Sequence, residues 1–132
     1  MGRTEQNLEA AFTGEARANR HYVAYAYQAM QEGHPEIAQL FLEAAGAETI
    51  HALNHLKVLG ALGDTEANLD ESANGEGYEI DEMYPRFIAE AEEDGRTDAA
   101  ATFRLAVERE RHHRDMFREA LAQFRAGMPV AR

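Results

Sequence analysis

The chain repeats itself. Asn7-Leu8 returns as Asn68-Leu69, Gly14-Glu15 as Gly75-Glu76, Gly33 as Gly95, Phe41 as Phe103, Glu48 as Glu110 and His51 as His113, at an offset of 61 and then 62. A period of that length encloses a helical hairpin, not a single element. The sequence therefore predicts an all-α protein, one domain over 1–132, built from two copies of a helix pair at about 4–60 and 65–126. Neither pair would bury its apolar face alone.

Four amphipathic stretches carry the repeat, with breakers between them. Leu8, Ala11, Phe12, Glu15, Ala18, Tyr22, Tyr25, Ala26 and Ala29 share one helical stripe, which ends at Gly33 with Pro35 opening the next helix. Ile37, Phe41, Ala44, Glu48, His51, His55 and Val58 form the second, ending at Gly60. The third runs through Leu69, Ala73, Glu76, Glu79, Ile80, Met83 and Phe87 to Gly95; the fourth carries Phe103, Ala106, Glu110, His113, Phe117 and Leu121 before Gly127 and Pro129. In each stripe ionisable residues stand mid-helix where the period asks for an apolar one. Desolvating an isolated carboxylate costs more than folding supplies, so carboxylates on a core face need cations between them.

The spacing of these residues suits a metal. Glu48-Thr49-Ile50-His51 and Glu110-Arg111-His112-His113 are both Glu-x-x-His, and a three-residue spacing on a helix turns both side chains to one face. A single such unit in a glutamate-rich helical protein is ordinarily a solvated face. Two copies at matched repeat positions, each with a partner from Gly14-Glu15 or Gly75-Glu76, are the ligand pattern of carboxylate-bridged di-iron proteins of the ferritin-like kind.

Composition narrows the classes further. The 45% apolar content, with five Tyr and six Phe, excludes a disordered chain, and 132 residues suffice for a core. A formal charge of −11 argues against nucleic acid as a partner. The absence of cysteine excludes disulfides, thiolate metal sites and a cysteine nucleophile, and suits a reducing compartment. Met1-Gly2-Arg3-Thr4-Glu5 opens no apolar run, and no stretch approaches the roughly 20 apolar residues of a membrane span. The expectation is a cytoplasmic protein without membrane partners.

From about Thr4 to about Phe124 the chain resembles the erythrin domain of the rubrerythrin family. The resemblance rests most firmly on Ala11-Phe12-Thr13-Gly14-Glu15-Ala16-Arg17-Ala18-Asn19-Arg20-His21-Tyr22 and on Gly75-Glu76-Gly77-Tyr78-Glu79-Ile80-Asp81-Glu82-Met83-Tyr84-Pro85. It implies a ferritin-like four-helix bundle holding two iron ions, with manganese or a mixed pair as alternatives. The implied ligands are Glu15, Glu48, His51, Glu76, Glu79, Glu110 and His113. Glu79 breaks the repeat, because the matching position is Ala18. The family's redox-linked ligand exchange then falls on Glu79 and His51, and Tyr22 and Tyr84 match tyrosines that hydrogen-bond near the metals. Pro85, inside the third helix, removes a backbone donor near Glu82 and predicts a local bend or bulge. His55, one turn beyond His51, reads as either a packed core histidine or a donor to a metal-binding residue. His21, His34 and His112 read as outward-facing.

The activity implied by the resemblance is reduction of hydrogen peroxide to water, with Glu48 and Glu110 bridging, Glu15 and Glu76 terminal, and His113 on one iron. A ferroxidase or iron-handling protein would use the same residues. No four-cysteine rubredoxin segment is present, so the electrons are expected from a separate rubredoxin-like protein. The link from Gly60 to about Asp64 adds a geometric expectation. A second helix of about 36 Å cannot be retraced by a link reaching only about 20 Å, so a homodimer is expected in which hairpins are exchanged between chains. A sequential up-down-up-down monomer is the other possibility.

Overall fold

The computed structural model describes residues 2–130, and every regular element among them is helical. They fall into two compact units divided between Leu62 and Gly63. No helix among the described residues is long and apolar enough to cross a membrane.

The first unit is a hairpin of α1 (Arg3–Gln31) and α2 (Pro35–Leu59). Its turn follows from the sequence Gly33-His34-Pro35. Gly33 takes φ 83°, a left-handed conformation that costs glycine little, and the amide of His34 then reaches back to the Ala29 carbonyl at 2.8 Å. Proline at the first position of α2 loses no hydrogen bond, since that amide has no partner within the helix. The seam between the helices is lined by small residues: Ala26 and Ala29 of α1 and Ala38, Ala45 and Ala52 of α2 are all buried. Tyr22 and Tyr25 close one part of it against Phe41, with ring centroids 6.2 and 5.5 Å apart. Asn19 adds a polar tie, donating from Nδ2 to the Ala45 carbonyl at 2.8 Å and to Thr49 Oγ1 at 2.9 Å.

The second unit repeats this plan with one interruption. Its first arm is α3 (Thr65–Tyr78), a π-helical turn over Glu79–Met83, and α4 (Tyr84–Glu93); its second arm is α5 (Thr97–Arg125). Asp64 caps α3, accepting from the Ala67 amide at 2.8 Å. Gly95, at φ 69°, makes the same turn as Gly33, and the Arg96 amide reaches the Ala91 carbonyl at 2.8 Å. Tyr84 and Phe87 stand against Phe103, at 5.9 and 5.6 Å, as Tyr22 and Tyr25 stand against Phe41.

The π turn gives the bend expected beside Pro85 its physical form. Pro85 has no amide hydrogen, and in an unbroken α-helix its ring would press on the carbonyl four residues back, that of Asp81. The turn instead widens, and the Tyr84 amide bonds to the Glu79 carbonyl five residues earlier. Such a turn takes in one extra residue. It accounts for the change in repeat offset, which is 61 at Glu15/Glu76 and 62 at Tyr22/Tyr84.

Candidate metal centre

Within the first unit, Glu15 comes from the middle of α1, and Glu48 and His51 come from one face of α2. Each offers a ligand atom, and the three atoms lie within 4.8 Å of one another. His51 Nδ1 is 3.5 Å from Glu15 Oε1 and 3.8 Å from Glu48 Oε1. The alanine seam makes this convergence possible. With no bulky residue at Ala45 or Ala52, the backbones of α1 and α2 approach closely enough for two short carboxylate arms to meet.

The second unit builds a matching set. Glu76 of α3 meets Glu110 and His113 of α5, again with ligand atoms within 4.8 Å of one another, and His113 Nδ1 lies 3.8 Å from Glu76 Oε1. Each hairpin thus presents one Glu-x-x-His and one glutamate to a common point.

Six of the seven expected ligands are accounted for in these two sets. Glu79, the seventh, is half-buried at the first position of the π turn and is not among the three residues that converge in its unit. Tyr22 and Tyr84 are half-buried in their aromatic clusters, and neither hydroxyl has a hydrogen-bond partner among the described residues. His55 lies against Glu15, with Nε2 at 2.7 Å from Oε2. His21, His34 and His112 are exposed. The tie from Asn19 to Thr49 was missed by sequence reasoning, though an asparagine one turn after Glu15, where the repeat has Ile80, marks the place.

The carboxylates are less deeply buried than their place on the apolar stripes suggests. The side chains of Glu15, Glu48 and Glu76 are 27%, 21% and 19% exposed, and no charged residue of the described chain is fully buried. The reason lies in the hairpins themselves. A two-helix layer covers one side of each ligand only, and each hairpin also leaves large apolar side chains uncovered: Leu40, Ile50 and Val58 in the first, Leu105, Met116 and Phe124 in the second.

These residues fit a metal on an independent observation. One oxygen each of Glu15, Glu76 and Glu110 is closed off from solvent and accepts no hydrogen bond. For Glu15 Oε2 this holds despite His55 Nε2 at 2.7 Å, whose approach lies off the line of a hydrogen bond. A buried carboxylate oxygen without a donor is costly unless a cation satisfies it. Carboxylate and imidazole ligands without thiolate suit iron or manganese.

The rubrerythrin family model matches residues 6–121. Rubrerythrin-1 of Clostridium acetobutylicum is 35% identical over 136 residues, covering 90% of this chain and 70% of that protein. The rubrerythrin of Nitratidesulfovibrio vulgaris is 34% identical over 138 residues, covering 95% of this chain and 72% of that protein. A solved structure described as the fully reduced, all-ferrous state of nigerythrin is similar at 33% identity and a TM-score of 0.48, covering 96% of this chain and 69% of that one. The match over nearly the whole chain brings with it the ferritin-like helical class expected from the sequence. The two carboxylate–histidine sets and the family relationship agree: the chain belongs to the rubrerythrin family of di-iron proteins.

Proposed function

We propose that this protein is a non-haem di-iron peroxidase that reduces hydrogen peroxide to water in oxidative stress defence, in the cytoplasm, with electrons from a separate rubredoxin-like protein. The observation that carries the reading is the pair of matched ligand sets, the second of which has two sealed carboxylate oxygens, of Glu76 and Glu110, that no donor approaches and a cation would satisfy. Each set has two carboxylates and one imidazole, enough for half of a two-metal site. A complete site then takes one first-hairpin set and one second-hairpin set.

In this reading the two sets come from different chains of a homodimer. The link of residues 60–64 between α2 and α3 is too short to run back along α2, whose 25 residues span roughly 37 Å. Exchange of hairpins between chains satisfies that constraint. It also covers the apolar side chains that each hairpin leaves exposed.

Bound iron would supply the two electrons that cleave the peroxide bond, one from each ion. The chain's own residues do the rest. Glu48 and Glu110 would be the carboxylates shared between the metals, and Glu15 and Glu76 would each hold one. His113 would hold one metal, and His51 and Glu79 would be the exchangeable ligands of the other, a neutral imidazole suiting the less charged ion and a carboxylate the more charged one. Tyr22 and Tyr84, whose hydroxyls have no hydrogen-bond partner among the described residues, would donate to oxygen atoms near the ligands. Two protons and two electrons convert each peroxide to two waters, so the donor must return two electrons per turnover.

The test is a stopped-flow comparison of the anaerobically reduced, iron-loaded protein mixed with hydrogen peroxide or with dioxygen. Ferric absorption that rises much faster with peroxide, followed by repeated turnover when a rubredoxin-like donor is added, is the expected result. Faster oxidation by dioxygen with release of ferric iron would replace the peroxidase with a ferroxidase.

A further inference from the structure

The two ligand sets differ in one place that the repeat exposes. Glu15 and Glu76 occupy matching positions, and one oxygen of each is closed from solvent. In the second unit nothing approaches Glu76 Oε2 to hydrogen-bond it. In the first, His55 Nε2 stands 2.7 Å from Glu15 Oε2, while Glu15 Oε1 faces His51 Nδ1 at 3.5 Å. The two oxygens of Glu15 are therefore divided between two histidines one helical turn apart on α2. The counterpart of His55 at the repeat offset is Phe117, which carries no donor. His55 itself lies outside the group of three that converges on the metal position.

We propose that His55 is a positioning residue that holds Oε2 of Glu15, leaving Oε1 for a metal, while Glu76, with no such partner, keeps both oxygens available. This rests on the di-metal reading given above. Turning the imidazole would bring its N–H toward Oε2, and the 2.7 Å separation already matches a charge-assisted hydrogen bond. A hydrogen-bonded carboxylate has one lone-pair set committed and a fixed plane, which sets both the angle and the strength of its metal bond. The consequence is two unequal metal positions in a site whose ligands otherwise repeat. An ion held by Glu15 would meet a fixed carboxylate offering one oxygen; an ion held by Glu76 would meet a carboxylate with both oxygens available.

Cobalt(II) alone provides the probe, added to the metal-free full-length protein and followed by visible absorption, whose intensity and position report coordination number. The wild type should bind in two distinguishable steps. His55→Phe, which installs the residue that the repeat places there, should weaken one step about tenfold and alter its spectrum, leaving the other unchanged. His55→Gln, whose amide can still donate to Oε2, should restore the wild-type titration. Should the phenylalanine variant fail to fold by circular dichroism, His55→Leu is read in its place. A donor-less variant that titrates like the wild type overturns the proposal. So does a glutamine variant as impaired as the phenylalanine one, because His55 would then be binding metal itself. A wild type that takes up no cobalt would instead overturn the di-metal reading, and this inference with it.

Discussion

Glu110 shows what a single residue costs and returns in this protein. Its Oε2 is sealed from solvent with no donor, a burial that costs stability and that a bound cation would offset. Glu110→Gln should therefore stabilise the metal-free protein, by about 1 kcal/mol, because a neutral amide is cheaper to desolvate than a carboxylate. The same substitution should abolish most of the rise in melting temperature that metal gives the wild type. Thermal melts of both proteins with and without added iron(II) or manganese(II) check this, and a metal-free variant less stable than the wild type would contradict it. Glu15, Glu48, His51, Glu76, Glu110 and His113 were legible in the sequence as candidate ligands, from the repeated Glu-x-x-His spacing and the family resemblance, and the structure brings them together in two sets of three. That one oxygen each of Glu15, Glu76 and Glu110 is sealed, and that His55 meets Glu15, were not. Those depend on side-chain rotamers and on how closely two helices approach.

At the scale of elements, α3 depends on its ends. Asp64 caps it, while Asn68 accepts from the Gly63 amide at 3.0 Å and donates to the Gly63 carbonyl at 2.9 Å, folding the chain tightly before the helix. Asp64→Ala should cost about 1 kcal/mol, measured by chemical denaturation of the full-length protein. The π turn over Glu79–Met83 has a sharper consequence. Each residue turns an α-helix by about 100°, so deleting Asp81 to restore the regular spacing of the first hairpin would rotate Glu76 relative to Tyr84 and Phe87 by that amount. The variant should lose metal binding by the Glu76–Glu110–His113 set while the Glu15–Glu48–His51 set still binds. Metal stoichiometry by elemental analysis would show about half the wild-type content. The sequence carried two signs of this turn, the step in repeat offset and Pro85. Neither specifies how the extra residue is absorbed, because a loop, a kink or a π turn would each accommodate it.

For the whole molecule, the exchange of hairpins is the expectation with the most consequences. A chain carrying Glu48→Ala has a damaged first set, and one carrying Glu110→Ala has a damaged second set. If sites form from two chains, a co-expressed mixed dimer contains one site with both sets damaged and one with both intact, and peroxide reduction returns. If each chain completes its own site, every site in the mixture is damaged and no activity returns. Isolating the mixed dimer with two affinity tags and measuring its metal content and turnover decides between them. Light scattering should also give about twice the 14.7 kDa of one chain.

The sequence by itself determined the helical class, the two-hairpin repeat, the helix boundaries at Gly33, Gly60 and Gly95, and the residue types that hold metal. These follow from local rules: side-chain period, backbone freedom at glycine, and the cost of a charge on an apolar face. Only the tertiary structure decided that three ligand atoms in each hairpin converge within 4.8 Å, that Glu79 stands apart from its set, that Glu15 is shared between His51 and His55, and that the ligands stay partly exposed within their own hairpins. Distances across a helix pair depend on the size of the residues at its seam and on what covers its open face. Neither is encoded in the spacing of any one motif.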